Sequence, residues 1–134
     1  MSRLTNLRQL VLPDSPITDL APLSGLANLT FLDASGDRIA DITPLAGLAN
    51  LTCLRIQNNQ ITDISPLAGL SRLSELGLAS NQITDITPLA GLTTLALLQL
   101  DYNNLDLSAG SPAMMTIATL QKRGTSVSYI TQNP

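Results

Sequence analysis

The sequence predicts an α/β solenoid of stacked coils, each a short strand followed by a loop and a short helical turn, closed at the carboxy end by a helix and a strand. Three observations predict it: a unit of 22 residues that recurs without gaps, a period-two apolar alternation at the same place in every unit, and a Ser/Thr-Pro pair at the same later place in the second, third and fourth units. A repeat of this length is one supersecondary unit that cannot bury its own apolar face, so its copies must stack.

Leu26 to Gly47 reads LANLTFLDASGDRIADITPLAG and Leu48 to Gly69 reads LANLTCLRIQNNQITDISPLAG. Leu70 to Gly91 continues the series, Leu4 to Gly25 precedes it, and Leu92 to Leu105 opens a fifth copy. Within a unit the apolar positions follow L-x-x-L-x-L-x-x-N-x-I/L, as in Leu51, Leu54, Ile56, Asn59 and Ile61. The alternation Leu54, Ile56 is that of a strand with its apolar side inward, which turns Cys53, Arg55 and Gln57 outward. Stacking such strands about 4.8 Å apart makes a parallel sheet, and five of them span only about 20 to 25 Å.

Thr43-Pro44, Ser65-Pro66 and Thr87-Pro88 then start the return. Ser or Thr can cap, and proline with its fixed φ begins a helical turn. Gly47, Gly69 and Gly91 are expected to end that turn in a left-handed conformation. So few residues separate cap from glycine that one 3₁₀ or α turn is expected, not a full helix.

After the fifth copy the period breaks. Ser111-Pro112 opens a run with Met114, Ile117, Ala118 and Leu120 on one face, and Gly124 follows Lys122-Arg123. This reads as an amphipathic helix of about three turns with its cations at the end the dipole favours. Thr125 to Ile130 alternates again as a last strand with Val127 and either Tyr129 or its neighbours inward, so the segment caps the open end of the stack. The organisation expected is one domain over 1–134, with repeats at 4–25, 26–47, 48–69 and 70–91, a partial repeat at 92–110 and a cap at 111–134. No matching cap precedes Leu4, Leu7, Leu10, Leu12 and Ile17, so that end is expected either to continue into more protein or to pair with another molecule, including a second copy.

The 22-residue unit with N-x-I-x-D-I-x-P-L-x-x-L closely resembles the repeats of bacterial internalins over about residues 4 to 105. The resemblance implies a right-handed leucine-rich-repeat solenoid with its short parallel sheet on the concave face and its short helical turns on the convex face. It also implies recognition of a partner protein across that sheet, and a parent protein that is secreted or attached to the cell surface. The helical amino-terminal cap and the immunoglobulin-like domain that internalins carry are not seen in these residues.

Composition narrows the function. With 44% hydrophobic but only 2% aromatic residues, the chain has aliphatic side chains enough for a core. One lysine, six arginines and a net charge of −3 offer no basic stripe for nucleic acid. No apolar run is long enough for a signal peptide or a membrane span. A lone Cys53 without any histidine provides no disulfide, no zinc site and no base to make a thiolate, so neither a cofactor nor catalysis is expected. The sequons at Asn28 and Asn50 recur only because the repeat does.

Two ladders run through the units. The motif asparagine position holds Ser15, Asp37, Asn59, Asn81 and Asn103, and an inward amide there is expected to bridge the backbones of adjacent coils. Asp37 breaks the series, since a carboxylate accepts hydrogen bonds but cannot donate to a carbonyl, so a local distortion of the second coil is expected. Asp19, Asp41, Asp63 and Asp85 form the other ladder, expected to take loop N–H groups; a calcium row is the alternative, but one carboxylate per coil supplies few of the six or more oxygens calcium wants.

The outward strand positions are the ones the repeat leaves free: Gln9, Val11, Phe31, Asp33, Cys53, Arg55, Gln57, Glu75, Gly77, Leu97, Gln99, Asp101 and Tyr102. Variation at one structural phase is what a binding surface produces, although any one of these is also an ordinary solvent position. Phe31, Asp33, Cys53, Arg55, Gln57, Glu75, Gln99, Asp101 and Tyr102 are the candidate partner-contacting residues, with Phe31, Arg55 and Tyr102 as anchors because exposed aromatics and arginine supply most interface energy once covered. Phe31 and Cys53 have the alternative of packing on each other across neighbouring strands. A non-catalytic protein-binding module is therefore the function expected, with a structural spacer or self-associating segment as the alternative.

Overall fold

The computed structural model describes residues 6–12, 17–36 and 38–133. Six three-residue strands, β1 (Gln9–Val11), β2 (Phe31–Asp33), β3 (Cys53–Arg55), β4 (Glu75–Gly77), β5 (Leu97–Gln99) and β6 (Ser126–Ser128), form one parallel sheet in sequence order. From β1 to β5 the register advances by one repeat, so Leu10, Leu32, Leu54, Leu76 and Leu98 stand side by side. The cap's strand joins the same sheet, setting Val127 beside Leu98.

The leucine and isoleucine positions converge between sheet and turns. Leu32, Leu54, Ile56, Ile61, Leu67, Leu76 and Leu98 are among a continuous core of fully buried side chains. Covering each contributes about 1.5 to 3 kcal/mol. At the amino end the same positions are less covered, and Leu7, Leu10 and Ile17 are only partly buried.

Burying so much chain leaves backbone groups that neither sheet nor turn pairs, and the asparagines pair them. Asn81 Oδ1 accepts the Ile61 N–H at 3.0 Å while its Nδ2 donates to the carbonyls of Ile56 and Leu78, both at 3.0 Å. Asn59 does the same for Ile39, Ala34 and Ile56, and Asn103 for Ile83, Leu78 and Leu100. Gln132 takes this role in the cap, accepting the Leu105 N–H at 3.0 Å and donating to Leu100 O at 3.1 Å and Tyr129 O at 2.8 Å. Ser15, Asp37 and Leu4 lie outside the described residues.

The return turns are 3₁₀ at Ala21–Leu23, Thr43–Leu45, Ser65–Leu67 and Thr87–Leu89. Two details differ from expectation. Thr43, Ser65 and Thr87 do not cap these turns; they are the first residues within them, and their N–H groups are accepted at 2.9 Å by Asp41, Asp63 and Asp85. Gly47, Gly69 and Gly91 are not left-handed either, because the chain leaves each turn by a second tight turn of the ordinary hand, with Leu70 N–H on Leu67 O and Ser71 N–H on Gly69 O. Among the described residues the left-handed positions are instead Gly36, Asn58, Ser80 and Tyr102, three residues after their strands, and Gly110 and Gly124 around the helix.

Helix α1 (Pro112–Lys122) starts at Ser111, whose Oγ accepts the Met114 N–H at 3.1 Å, and ends before Gly124 with φ +98°. Its buried face is Ala113, Thr116, Ile117 and Leu120, the i, i+3, i+4, i+7 stripe. Ala118, expected on that face, is exposed: it lies one residue past Ile117 and so about 100° round the helix from it.

The bonds to Thr43, Ser65, Thr87 and, at the cap, Ser108 hold the carboxyls of Asp41, Asp63, Asp85 and Asp106 below the ordinary value. At Asp63 the repulsion from Asp85 and Asp41 works the other way and is smaller than the hydrogen bonding. Carboxyls depressed in the folded chain stabilise it above their unfolded value near 3.8, and that contribution is lost as pH falls through the lower folded values.

Two outcomes are expected. Asn81→Ala leaves the buried Ile61 N–H unpaired and removes one of the two amides on each of the Ile56 and Leu78 carbonyls, lowering the unfolding free energy by about 2 kcal/mol, whereas Gln82→Ala on the surface changes it by less than about 0.5 kcal/mol; urea denaturation reads both, and equal effects would contradict the bridging role. The triple variant Asp41→Asn, Asp63→Asn, Asp85→Asn keeps an acceptor at each turn but removes the titration. Its melting temperature should fall less than the parent's between about pH 5 and pH 3, and an equally steep fall would show that these caps do not set the acid sensitivity.

Candidate concave interface

The outward strand residues form three parallel rows. Phe31, Cys53, Glu75 and Leu97 are successive register partners, as are Asp33, Arg55, Gly77 and Gln99. Gln57 and Asp101 follow two residues beyond Arg55 and Gln99 and extend a third row. Neighbouring side chains in a row are about 4.8 Å apart, held by a sheet whose other side is solid core.

Arg55 is the hub of this face. Its Nη2 donates to Glu75 Oε1 at 3.3 Å, and its guanidinium lies 5.3 Å from the centre of the Phe31 ring. The ion pair is well exposed, at 41% for Arg55 and 37% for Glu75, so it adds no more than about 1 kcal/mol to stability. Its effect is to fix the direction of a long side chain. Glu75 also accepts from Cys53 Sγ at 3.5 Å through Oε2, so Phe31, Cys53, Arg55 and Glu75 form one contiguous cluster on β2, β3 and β4. Phe31 and Cys53 are register partners as expected, but the cation over the ring belongs to Arg55.

The remaining candidates stand around this cluster. Asp33 Oδ1 accepts from Ser35 N at 3.1 Å and from Ser35 Oγ at 2.6 Å, which holds it at the end of β2. Asp101 Oδ1 accepts the Thr131 N–H at 3.0 Å, tying the fifth coil to the cap. Gln99 is exposed on β5. Tyr102, 51% exposed with φ +61°, belongs to the left-handed loop after β5 and not to the sheet, so it stands at the rim, apart from Phe31 and Arg55.

Two features of the face escaped sequence reasoning. Ile130 is 80% exposed beside the Tyr102 segment, whose N–H donates to Thr131 O; the alternation of TSVSYI gave no reason to place it at the rim. Gln57 folds over Gly77 rather than into solvent, and no spacing pattern signals a side chain that leans onto a neighbouring strand.

The chemistry of these groups is that of contact. Burial first, and then the Glu75 carboxylate, push the Cys53 thiol above its ordinary value, with Arg55 opposing. The carboxylates of the convex ladder face their own turns, and among the described residues no three His, Cys, Asp or Glu side chains converge on a point a metal could occupy. Among them, too, no helix is long and apolar enough to cross a membrane.

A raised thiol reacts slowly. Alkylation of Cys53 by iodoacetamide at pH 7.5 is expected to be slower than that of a free cysteine peptide, and Glu75→Gln should accelerate it by removing a negative charge from beside the forming thiolate; a faster reaction in the parent than in the variant would contradict the assignment.

The family described as Leucine Rich repeats (2 copies) matches residues 5–47 and 49–91. Internalin C2 of Listeria monocytogenes is 37% identical with a TM-score of 0.84, covering 96% of this chain and 54% of its own. A second internalin of that organism is 32% identical with a TM-score of 0.73, covering 99% of this chain and 45% of its own. A leucine-rich-repeat protein of Leptospira interrogans is 25% identical with a TM-score of 0.83, covering 94% of this chain and 32% of its own. The chain thus spans about half the length of the two internalins. No curated protein matches it. Leucine-rich repeats generally mediate protein–protein interactions. From the repeat match and these structural likenesses, the chain belongs to the leucine-rich-repeat family and is of the bacterial internalin-like kind.

Proposed function

We propose that the chain works as a non-catalytic protein-binding domain whose concave sheet is the contact surface, in a parent protein that is secreted or attached to the bacterial surface. One observation carries this reading: Arg55 is held between Phe31 and Glu75 on a rigid sheet, so an aromatic and a guanidinium are already oriented toward whatever lies across the face. Little conformational entropy remains to be lost there on association, and aromatic and arginine anchors are the residues that dominate binding energy when covered. Asp33, Cys53, Gln57, Glu75, Gln99 and Asp101 form the surrounding contact surface, and Tyr102 contributes from the rim.

A second reading has its own support. The amino-terminal coil exposes Val11 at 56%, leaves Leu7, Leu10 and Ile17 partly uncovered, and has a largely apolar depression lined by Leu12, Ile17, Leu20, Pro22 and Leu23 with Asp19. The outer edge of β1, terminal in the sheet, carries backbone groups able to pair with another strand. Self-association through this end is the alternative function.

One design separates the two. A partner is selected from a displayed library of folded extracellular protein domains, and its affinity is measured for Phe31→Ala, Arg55→Ala, Tyr102→Ala and the convex variant Ala68→Arg. Loss of about tenfold or more for at least two of the concave changes, with Ala68→Arg unchanged, is expected; the reverse pattern contradicts the concave reading. Light-scattering mass that rises with concentration, and stops rising when Leu7 and Leu10 are made polar, would favour self-association instead.

A further inference from the structure

At the centre of the concave face a side chain is missing. Gly77 occupies the middle row between Arg55 of β3 and Gln99 of β5. Gln57 Oε1 lies 2.5 Å from the point where a Cβ on Gly77 would sit, and Gln99 Oε1 lies 3.4 Å from the same point. Two amide oxygens from flanking strands therefore converge over one backbone. Gln57 Oε1 is also buried without a hydrogen-bond partner, unlike any other side-chain nitrogen or oxygen among the described residues. A buried acceptor left unpaired is costly, so this notch gains most from a ligand that brings donors.

The surrounding charge selects the donor. The concave rows carry Asp33, Glu75 and Asp101 against Arg55 alone, and Arg55 is already paired with Glu75. Asp33 is two strands away from Gly77, and Asp101 lies one strand across and two residues along, so by strand spacing and rise both fall within about 10 Å of the notch. The Debye length is about 8 Å at physiological salt, so the pull of both carboxylates on a charge placed there is partly screened and strengthens as salt is lowered. An anionic group meets their repulsion, and an apolar group leaves the amide oxygens unpaired.

We propose that the notch over Gly77 sets the specificity of the concave face by receiving a cationic side chain, lysine or arginine, from the protein partner. The proposal rests on the protein-binding reading above. Gln57 shifts its flexible amide to the edge of the notch, the cation enters over the glycine backbone, and the oxygens of Gln57 and Gln99 at that edge accept its hydrogens within the field of Asp33 and Asp101. Only a residue without a Cβ at position 77 leaves room for this.

The test uses an unbiased random-peptide display library selected on the whole chain. Peptides whose binding weakens in Phe31→Ala or Arg55→Ala are retained as concave binders. Their sequences should be enriched in lysine or arginine at one position. Replacing that residue by norleucine should weaken binding to the parent about tenfold or more, as loss of charge-assisted hydrogen bonds does, yet change binding to Gly77→Ala little. Asp33→Asn with Asp101→Asn should weaken the cationic peptide and flatten its salt dependence. The clash in Gly77→Ala is with the end of a flexible side chain, so this variant should melt like the parent, and the Asp33→Asn, Asp101→Asn pair tests the idea without altering the notch. Concave binders without a cation, a cation equally important in parent and Gly77→Ala, or a library yielding no concave binder would overturn the notch. Peptides that bind but ignore Phe31, Arg55 and Tyr102 would overturn the concave surface itself.

Discussion

Each coil carries backbone into an apolar interior where neither sheet nor turn can pair it, and the asparagine ladder is what makes that tolerable. An amide is suited to the place because it both accepts and donates. One oxygen takes an N–H from the preceding coil, as Asn81 takes Ile61, while the nitrogen reaches carbonyls in both coils, Ile56 and Leu78. A leucine there would strand the Ile61 N–H and leave the carbonyls of Ile56 and Leu78 with one amide each, from Asn59 and Asn103, while a carboxylate could serve only the N–H. Neighbouring coils are thereby joined by directional bonds as well as by leucine packing, which sets their stacking to a single register.

That rigidity is what gives the concave face its meaning. Side chains on one side of the sheet are committed to the core, the loops to the ladders, and the turns to their aspartate caps, so the outward rows are where composition is free to vary. On those rows the side chains are not loose. Arg55 bridges Glu75 and Phe31, Asp33 is fixed by Ser35, and Asp101 is fixed by Thr131. A surface with its anchors already aimed binds at a smaller entropic cost than one that must order them.

Much of this was legible in the sequence, and the reason is periodicity. Leu54, Ile56 and Asn59 recur one repeat on as Leu76, Leu78 and Asn81, so their strand, core and bridging roles follow from repetition. What escaped were features that break or do not depend on the period. Gln132 replaces the asparagine in the cap with a longer side chain from a different spacing, and Ala118 loses its place to Ala113 and Thr116 because the buried stripe begins at the first turn of the helix. Gly47, Gly69 and Gly91 look like left-handed helix ends, yet nothing lies within 4 Å of a Cβ built on them, and the left-handed residues after the strands are Gly36, Asn58, Ser80 and Tyr102. The lean of Gln57 over Gly77 depends on contact across strands, which no linear pattern records.

Amide hydrogen exchange of the chain with and without a bound protein partner tests recognition across the concave sheet. Added protection should be concentrated in β2 to β5 and the loops that follow them, around Arg55, Gly77 and Tyr102, with the convex turns unchanged. Protection confined to the convex turns, or to β1 and the amino-terminal coil, would contradict it.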